Sequence, residues 1–244
     1  LSTATGQKLD KGVGVKQTLM AVKADFYNEK YAGLACGIKN TGVGNGMTDE
    51  SYVKIHFHHS GKITISHGWS EMGQGVHTMA INIFCRETGL SPENIEVVVD
   101  TADRLVTGMT TSSRATALMG NAIIDACTSV RSDLKHKTPE QLAGNVYYGK
   151  FICDWTTQPS DNNNHQITHF AYGYATQMVI LNDSGKIKKV IAAHDVGKLL
   201  NRQLFEGQIE GAVHMGLGYA LTEDLPMKDG QLVSEKLRDC RILR

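Results

Sequence analysis

A chain of 244 residues, 41% hydrophobic and 20% charged, is long enough to bury a substantial core as one large domain or two modest ones. Lysine plus arginine and aspartate plus glutamate balance at 25 each, which provides no net field for nucleic acid or an anionic membrane surface. There is no apolar run long enough to span a bilayer and no charged-then-apolar leader pattern, so a cytoplasmic protein is expected.

Residues 13–31 read as a helix, with Val15, Leu19, Val22 and Phe26 on one face. Gly42, Gly44 and Gly46 then form a flexible segment that matches a dinucleotide fingerprint only superficially, because a strand follows it instead of a helix. Tyr52–His58 and Lys62–Ser66 flank Ser60-Gly61 as a hairpin. His56 and His58 share one strand face with His59 beside them; a metal would need further ligands, so exposed histidines are the expectation.

The hairpin delivers the chain to Ser70-Glu71-Met72-Gly73-Gln74-Gly75-Val76-His77-Thr78, the most informative stretch. Val76, Met79, Ala80, Ile83 and Phe84 keep helical spacing, so the Gly-Gln-Gly turn sits at a helix N-terminus. Unsatisfied N–H groups and the helix dipole favour an anion there. Gly73 and Gly75 let a ligand approach the backbone, and the Gln74 amide can read a heterocycle edge.

That helix should end near Gly89, followed by a buried strand at Ile95–Val99 and a helix from about Ala115 to Leu134. Before the second helix, Thr110-Thr111-Ser112-Ser113-Arg114 offers four hydroxyls and a guanidinium, more than a helix cap requires, and suits a phosphate or polar heterocycle. Residues 136–168 read as polar and irregular, with 158–165 as the clearest loop. A second hairpin, Tyr174–Leu181 and Lys186–Ala193, turns at Asn182–Gly185. The last long helix spans about Leu204–Leu221 and repeats the Gly-Gln theme at Gly207-Gln208. Its glycines at 207, 211, 216 and 218 each cost about 1 kcal/mol relative to alanine, pointing equally to close helix packing or a ligand.

The expected fold class is therefore α+β, with two related subdomains at 1–135 and 169–244, a connecting segment at 136–168 and a ligand cleft between the copies. Glu71, Glu206, Glu210 and Glu223 are better read as solvated or helix-end glutamates than as catalysts. The five cysteines are widely spaced, without a Cys-x-x-Cys pair, and are expected to be reduced and mostly buried. No catalytic and no metal-ligating residue is assigned. A start at Leu1 and a stop at Arg244 suggest a fragment of a longer protein.

Four segments in order resemble the molybdopterin-binding subunit of the xanthine dehydrogenase/aldehyde oxidase family: Ser70–Thr78, Thr110–Ala122, Asp195–Asn201 and Glu206–Glu223. The similarity covers most of residues 14–244, and Cys36–Gly46 with His169–Gln177 is most similar to the selenium-dependent xanthine dehydrogenase branch. The resemblance implies a molybdenum–molybdopterin cofactor, with the cytosine dinucleotide form and selenium among the options. It also implies FAD and iron–sulfur clusters on other domains or subunits, and oxidation of a purine or aldehyde with water-derived oxygen. It carries cofactor contact to Met72, Gly73, Gln74, Gly75, Ser112, Ser113, Arg114, Ala115, Thr116 and Gln208. The family's catalytic glutamate, in a Gly-Val-Gly-Glu-like motif, has no match here, so the chain alone is expected to be inactive. The partners implied are the rest of the large subunit and the electron-transfer domains. The alternatives are a nucleotide- or phosphate-binding module without catalysis, and an assembly protein that kept the fold and lost the ligand.

Overall fold

A computed structural model describes residues 2–9, 13–159, 165–234 and 236–243. In chain order come helices α1 (Val15–Ala21) and α2 (Lys23–Asn28), then strands β1 (Ala32–Thr41), β2 (Asp49–Phe57) and β3 (Ile63–His67). Helix α3 (Val76–Thr88), strand β4 (Ile95–Val98) and helix α4 (Ala115–Leu134) follow. Strands β5 (Val146–Cys153), β6 (Ala171–Leu181) and β7 (Ile187–Asp195) precede helix α5 (Arg202–Leu221) and the short strands β8 (Met227–Lys228) and β9 (Gln231–Leu232). The chain thus has the α+β class that its sequence implies. It divides into two compact units, Leu1–Leu200 and Asn201–Arg244.

The first unit holds a four-stranded sheet in the order β4-β3-β2-β5 and a three-stranded antiparallel sheet in the order β1-β6-β7. In β2 every second residue faces inward: Asp49, Ser51, Val53, Ile55 and Phe57 are all buried. This is the period of a strand with one covered face. The covering layer is α3 and α4, whose Val76, Met79, Ala80, Ile83 and Phe84, and Leu118, Ala122, Ile123, Ala126 and Val130, form its apolar stripes. The inward row of β2 is apolar at its C-terminal end and polar at its N-terminal end. That polarity gradient positions the site.

Several expectations need correction. Residues 136–168 are not irregular throughout, because they contain β5, which pairs with β2 from Asp49↔Cys153 to His56↔Val146. The alternation there is hidden by Gly149. A Cβ at that position would lie 2.1 Å from the Ala122 carbonyl oxygen and 2.5 Å from the Ala126 nitrogen, so glycine lets α4 lie directly on the strand. Of the expected loop at 158–165, residues 160–164 lie outside the described residues. Ala32–Thr41 is a long strand paired with β6, although its alternation is masked by small residues. The helix expected over 13–31 breaks at Val22, whose side chain is fully buried with Met178 and Ile180. Strand β4 is only partly buried, since its parallel pairing with β3 places it at the sheet edge and Val99 beyond it is exposed.

The glycine segment after β1 is firmly packed rather than flexible. Gly42, Gly44 and Gly46 all have positive φ, and a Cβ on Gly44 would lie 2.1 Å from the Thr168 carbonyl oxygen. All five cysteines are free, but only Cys127 and Cys153 are buried. Burial pushes the Cys127 thiol up to about 12 and the Cys153 thiol to about 11, which makes them packing groups without nucleophilic character. The His56 and His58 rings lie with centroids 3.9 Å apart and planes tilted by 44°, and His58 Nε2 lies 2.7 Å from Thr64 Oγ1. Among the described residues no group of three or more potential metal ligands converges, and no helix is long and apolar enough to cross a membrane.

The second unit holds α5, the β8–β9 hairpin and a short 3-10 helix at Leu237–Cys240. Asn201 caps α5, its Oδ1 accepting from the Leu204 N–H at 3.0 Å. Within this unit, Gly218 is explained by close packing, because a Cβ there would meet Glu223 Oε1 at 2.2 Å.

Candidate functional site

The Gly-Gln-Gly turn and the Thr110–Arg114 loop meet in the first unit. The Ser70 N–H donates to Thr110 Oγ1 at 3.1 Å, so the two segments singled out in the sequence share one rim. Gly68 keeps the loops close: a Cβ there would lie 2.4 Å from the Leu105 carbonyl oxygen.

The turn is held by its own side chains. Gly73 and Gly75 are left-handed, with φ of 97° and 82°. Gln74 Oε1 accepts from the Met72 N–H at 2.6 Å, and its Nε2 donates to the Ser70 carbonyl at 2.8 Å. Gln74 is half-buried, whereas Met72 is 69% exposed. The α3 N-terminus, expected to await an external anion, already holds one. The Glu71 carboxylate accepts from the N–H groups of Gly73, Gly75 and His77 at 2.9, 2.9 and 3.1 Å. Burial raises the Glu71 carboxyl, but these three donors and His77 outweigh it and hold the group below the ordinary glutamate range. Glu71 is thus the helix-end glutamate of the two expected readings, capping α3 while remaining exposed. Replacing it with alanine is expected to cost about 1–2 kcal/mol, read as a lower urea midpoint at neutral pH, with glutamine intermediate.

The α4 N-terminus is the open one. Its N-cap position, Arg114, makes no side-chain cap, and no acidic residue lies in the first turn. Ser112 and Ser113 sit in left-handed backbone at φ 56° and 50°, a conformation uncommon for residues with a Cβ and frequent at ligand clamps. Among the described residues the hydroxyls of Ser112, Ser113 and Thr116 make no hydrogen bond. Ala115 and Thr116 begin the helix. Free hydroxyls, first-turn N–H groups and the positive end of a twenty-residue helix form a donor set suited to phosphate and pterin oxygens. The fit is good at α4. At α3 a ligand would have to exchange bonds that Gln74 and Glu71 now make internally.

Arg114 behaves differently from its neighbours. It is 4% exposed and ion-paired with Asp49, itself buried at the polar end of β2. Its Nη2 donates to the carbonyls of Thr107, at 2.8 Å, and Met109. The guanidinium stacks on Trp69, 4.7 Å from the ring centroid. Asp49 escapes sequence reasoning, although the inward register of Asp49, Ser51, Val53, Ile55 and Phe57 would have marked it as a buried carboxylate needing a partner.

Below the turn, His67 is buried with its Nδ1 accepting from the Trp69 N–H at 3.1 Å, which fixes the proton on Nε2. The His67 and His77 rings are 5.3 Å apart, and neither Nε2 has a partner among the described residues. Gln208 lies in the second unit, exposed in the second turn of α5.

The molybdopterin cofactor-binding domain family matches residues 15–143 and 135–244. A probable xanthine dehydrogenase subunit of Bacillus subtilis (strain 168) is 27% identical over 86% of this chain and 33% of its own length. Aldehyde oxidase 1 of Macaca fascicularis is 27% identical over 75% of this chain and 15% of its own. The aldehyde oxidoreductase of Desulfovibrio desulfuricans ATCC 27774 superposes with a TM-score of 0.72 at 24% identity, over 91% of this chain and 28% of that one. Quinoline 2-oxidoreductase of Pseudomonas putida 86 gives 0.71 at 19% identity, over 100% and 38%. At these identities the two structures establish the fold alone. The chain spans about a third or less of the curated relatives cited.

Proposed function

Because the chain belongs to the molybdopterin cofactor-binding domain family, on its xanthine dehydrogenase/aldehyde oxidase side, we propose that residues 70–75 and 110–116 form part of a molybdopterin cradle in a molybdenum hydroxylase. The observation that carries this reading is the convergence of the two loops at the open α4 N-terminus, with three hydroxyls that make no hydrogen bond among the described residues. Ser112, Ser113 and Thr116 hold phosphate or pterin oxygens through their hydroxyls, and Ala115 contributes backbone N–H. Gly73 and Gly75 admit the ligand edge, Gln74 addresses the heterocycle, and Met72 flanks it. Gln208, on α5 of the second unit, is proposed as a cofactor contact on the strength of the motif resemblance alone. In sequence order, 1–135 and 169–244 are proposed as the two cofactor-binding subdomains joined by 136–168.

When bound, the molybdenum cofactor supplies two-electron oxidation of a C–H bond with oxygen from water. This chain's residues bind and orient the cofactor. The proposed substrates are purines such as xanthine, with other N-heterocycles and aldehydes as the wider class. The likeness of Cys36–Gly46 and His169–Gln177 to the selenium-dependent branch supports the purine assignment, and these segments are neighbours through β1–β6 pairing and the Gly44–His169 contact. The electron-transfer partners, FAD and iron–sulfur groups on other domains or subunits, belong to the same proposal, as do the cytosine dinucleotide form of the cofactor and a cytoplasmic location.

The test is metal and pterin analysis of the full-length protein made in a host that synthesises the cofactor. Stoichiometric molybdenum and pterin are expected, with retained pterin reduced about tenfold in Gln74→Ala, in line with loss of one or two well-placed hydrogen bonds. A preparation free of pterin, or one holding a nucleotide instead, would overturn the assignment.

A further inference from the structure

We propose that Asp49 is a positioning residue for the cofactor cradle, acting through Arg114, and that Arg114 serves as a clamp on the loops instead of a charge offered to the ligand. This rests on the cradle reading above. Three separate loops converge on the pair. Asp49 Oδ2 accepts from the Val43 N–H at 3.0 Å while Oδ1 takes Arg114 Nη1, so one carboxylate ties the glycine segment after β1 to the start of α4. The Gly42 N–H donates to the Ser112 carbonyl at 3.1 Å, which fixes the same segment against the left-handed serines. Arg114 Nη2 reaches back to the Thr107 and Met109 carbonyls, curling the loop around its own guanidinium. A Cβ on Gly108 would lie 3.1 Å from Nη2, so even the tip of this curl is shaped around the arginine. On its flat face lies Trp69, whose Nε1–H donates to Ser51 Oγ at 2.9 Å, and the next residue, Ser70, opens the Gly-Gln-Gly turn.

With the positive charge neutralised by Asp49 and the side chain 4% exposed, Arg114 has little field to offer an incoming phosphate. What it supplies is geometry. A planar fork satisfies a carboxylate and two carbonyls at once, which the point charge of lysine does not. Ser112 and Ser113 hold an unfavourable backbone region only because the surrounding bonds determine it. Their hydroxyls are therefore preorganised by Asp49 and Arg114, and a preorganised site loses less freedom when it binds.

The experiment uses full-length protein and reads retained pterin and molybdenum beside the unfolding midpoint of the apoprotein. Asp49→Leu combined with Arg114→Met removes both charges together, so no unpaired buried charge remains, and the midpoint is expected to fall only by what the Val43 N–H and the Thr107 and Met109 carbonyls lose as partners. Arg114→Lys keeps the charge and loses the fork. Both are expected to retain about tenfold less cofactor while the apoprotein stays folded, with faster hydrogen exchange confined to residues 42–46 and 107–114. Cofactor retention at the parent level in either folded variant would overturn the proposal and leave the pair as a stability element. If the double variant fails to fold, Arg114→Lys alone decides. A parent protein that holds no pterin would instead defeat the cradle reading, so the two failures are distinguishable.

Discussion

Trp69→Ala is expected to destabilise the first unit by about 3–5 kcal/mol. The indole is completely buried, so its removal loses a large apolar surface and leaves a void that the surrounding strands can only partly close. Two directed interactions go with it. Ser51 Oγ loses its 2.9 Å donor, and the Arg114 guanidinium loses the ring it lies against. Trp69→Phe keeps most of the volume and the stacking but not the N–H, and should cost roughly 1–2 kcal/mol. Urea denaturation of the two variants separates these contributions. A Trp69→Ala midpoint close to the parent would show that the residue is less enclosed in solution than its packing implies.

Acid should weaken the same unit in a window set by His67. Burial, reinforced by repulsion from His77, lowers its pKa from 6.5 to about 4, against smaller opposing contributions from its own backbone and from Glu71. The unfolded chain therefore takes up a proton that the folded chain refuses. Stability falls as pH drops below about 6.5 and levels off near 4, by roughly 3 kcal/mol in total for this histidine. His169 and His194, also held low by burial, steepen the same limb. The check is a series of urea denaturations between pH 7.5 and 4.5, comparing the parent with His67→Gln, which should flatten the slope by the share assigned to His67. An unchanged slope would mean that His67 is hydrated or already charged in the folded state.

Sequence reasoning reaches some parts of this molecule and not others, and the division has physical causes. Helices α3 and α4 are legible because their buried faces recur with helical period, and Gly89 closes α3 in the left-handed conformation that its position implies. Both hairpins are legible from turn residues between alternating segments. Strand β1 is not, since most of its residues are exposed and alternate between small side chains of similar character. Strand β5 hides behind a glycine whose reason is a helix backbone more than twenty residues away in sequence. At the site, the two loops stand out as motifs, but their internal wiring does not. Glu71 caps a helix through a turn with no capping-box spacing, and Arg114 finds its partner across 65 residues. A charged residue beside serines reads as a ligand-binding group until the tertiary partner that neutralises it is known.

The strand order β1-β6-β7 has a practical consequence for anyone handling the chain alone. Among the described residues Ala32–Thr41 pairs with a strand on one flank only, so its other flank presents a row of backbone amide and carbonyl groups outside the ladder, interrupted near one end by the charge of Lys39, whose ammonium takes up the Asn40 carbonyl. Such a row accepts a stray strand from any neighbouring molecule. Concentrated solutions of the isolated polypeptide will tend to grow by lateral stitching along that flank, and a second lysine near its middle, at Ala35, is the simplest way to keep the molecules apart.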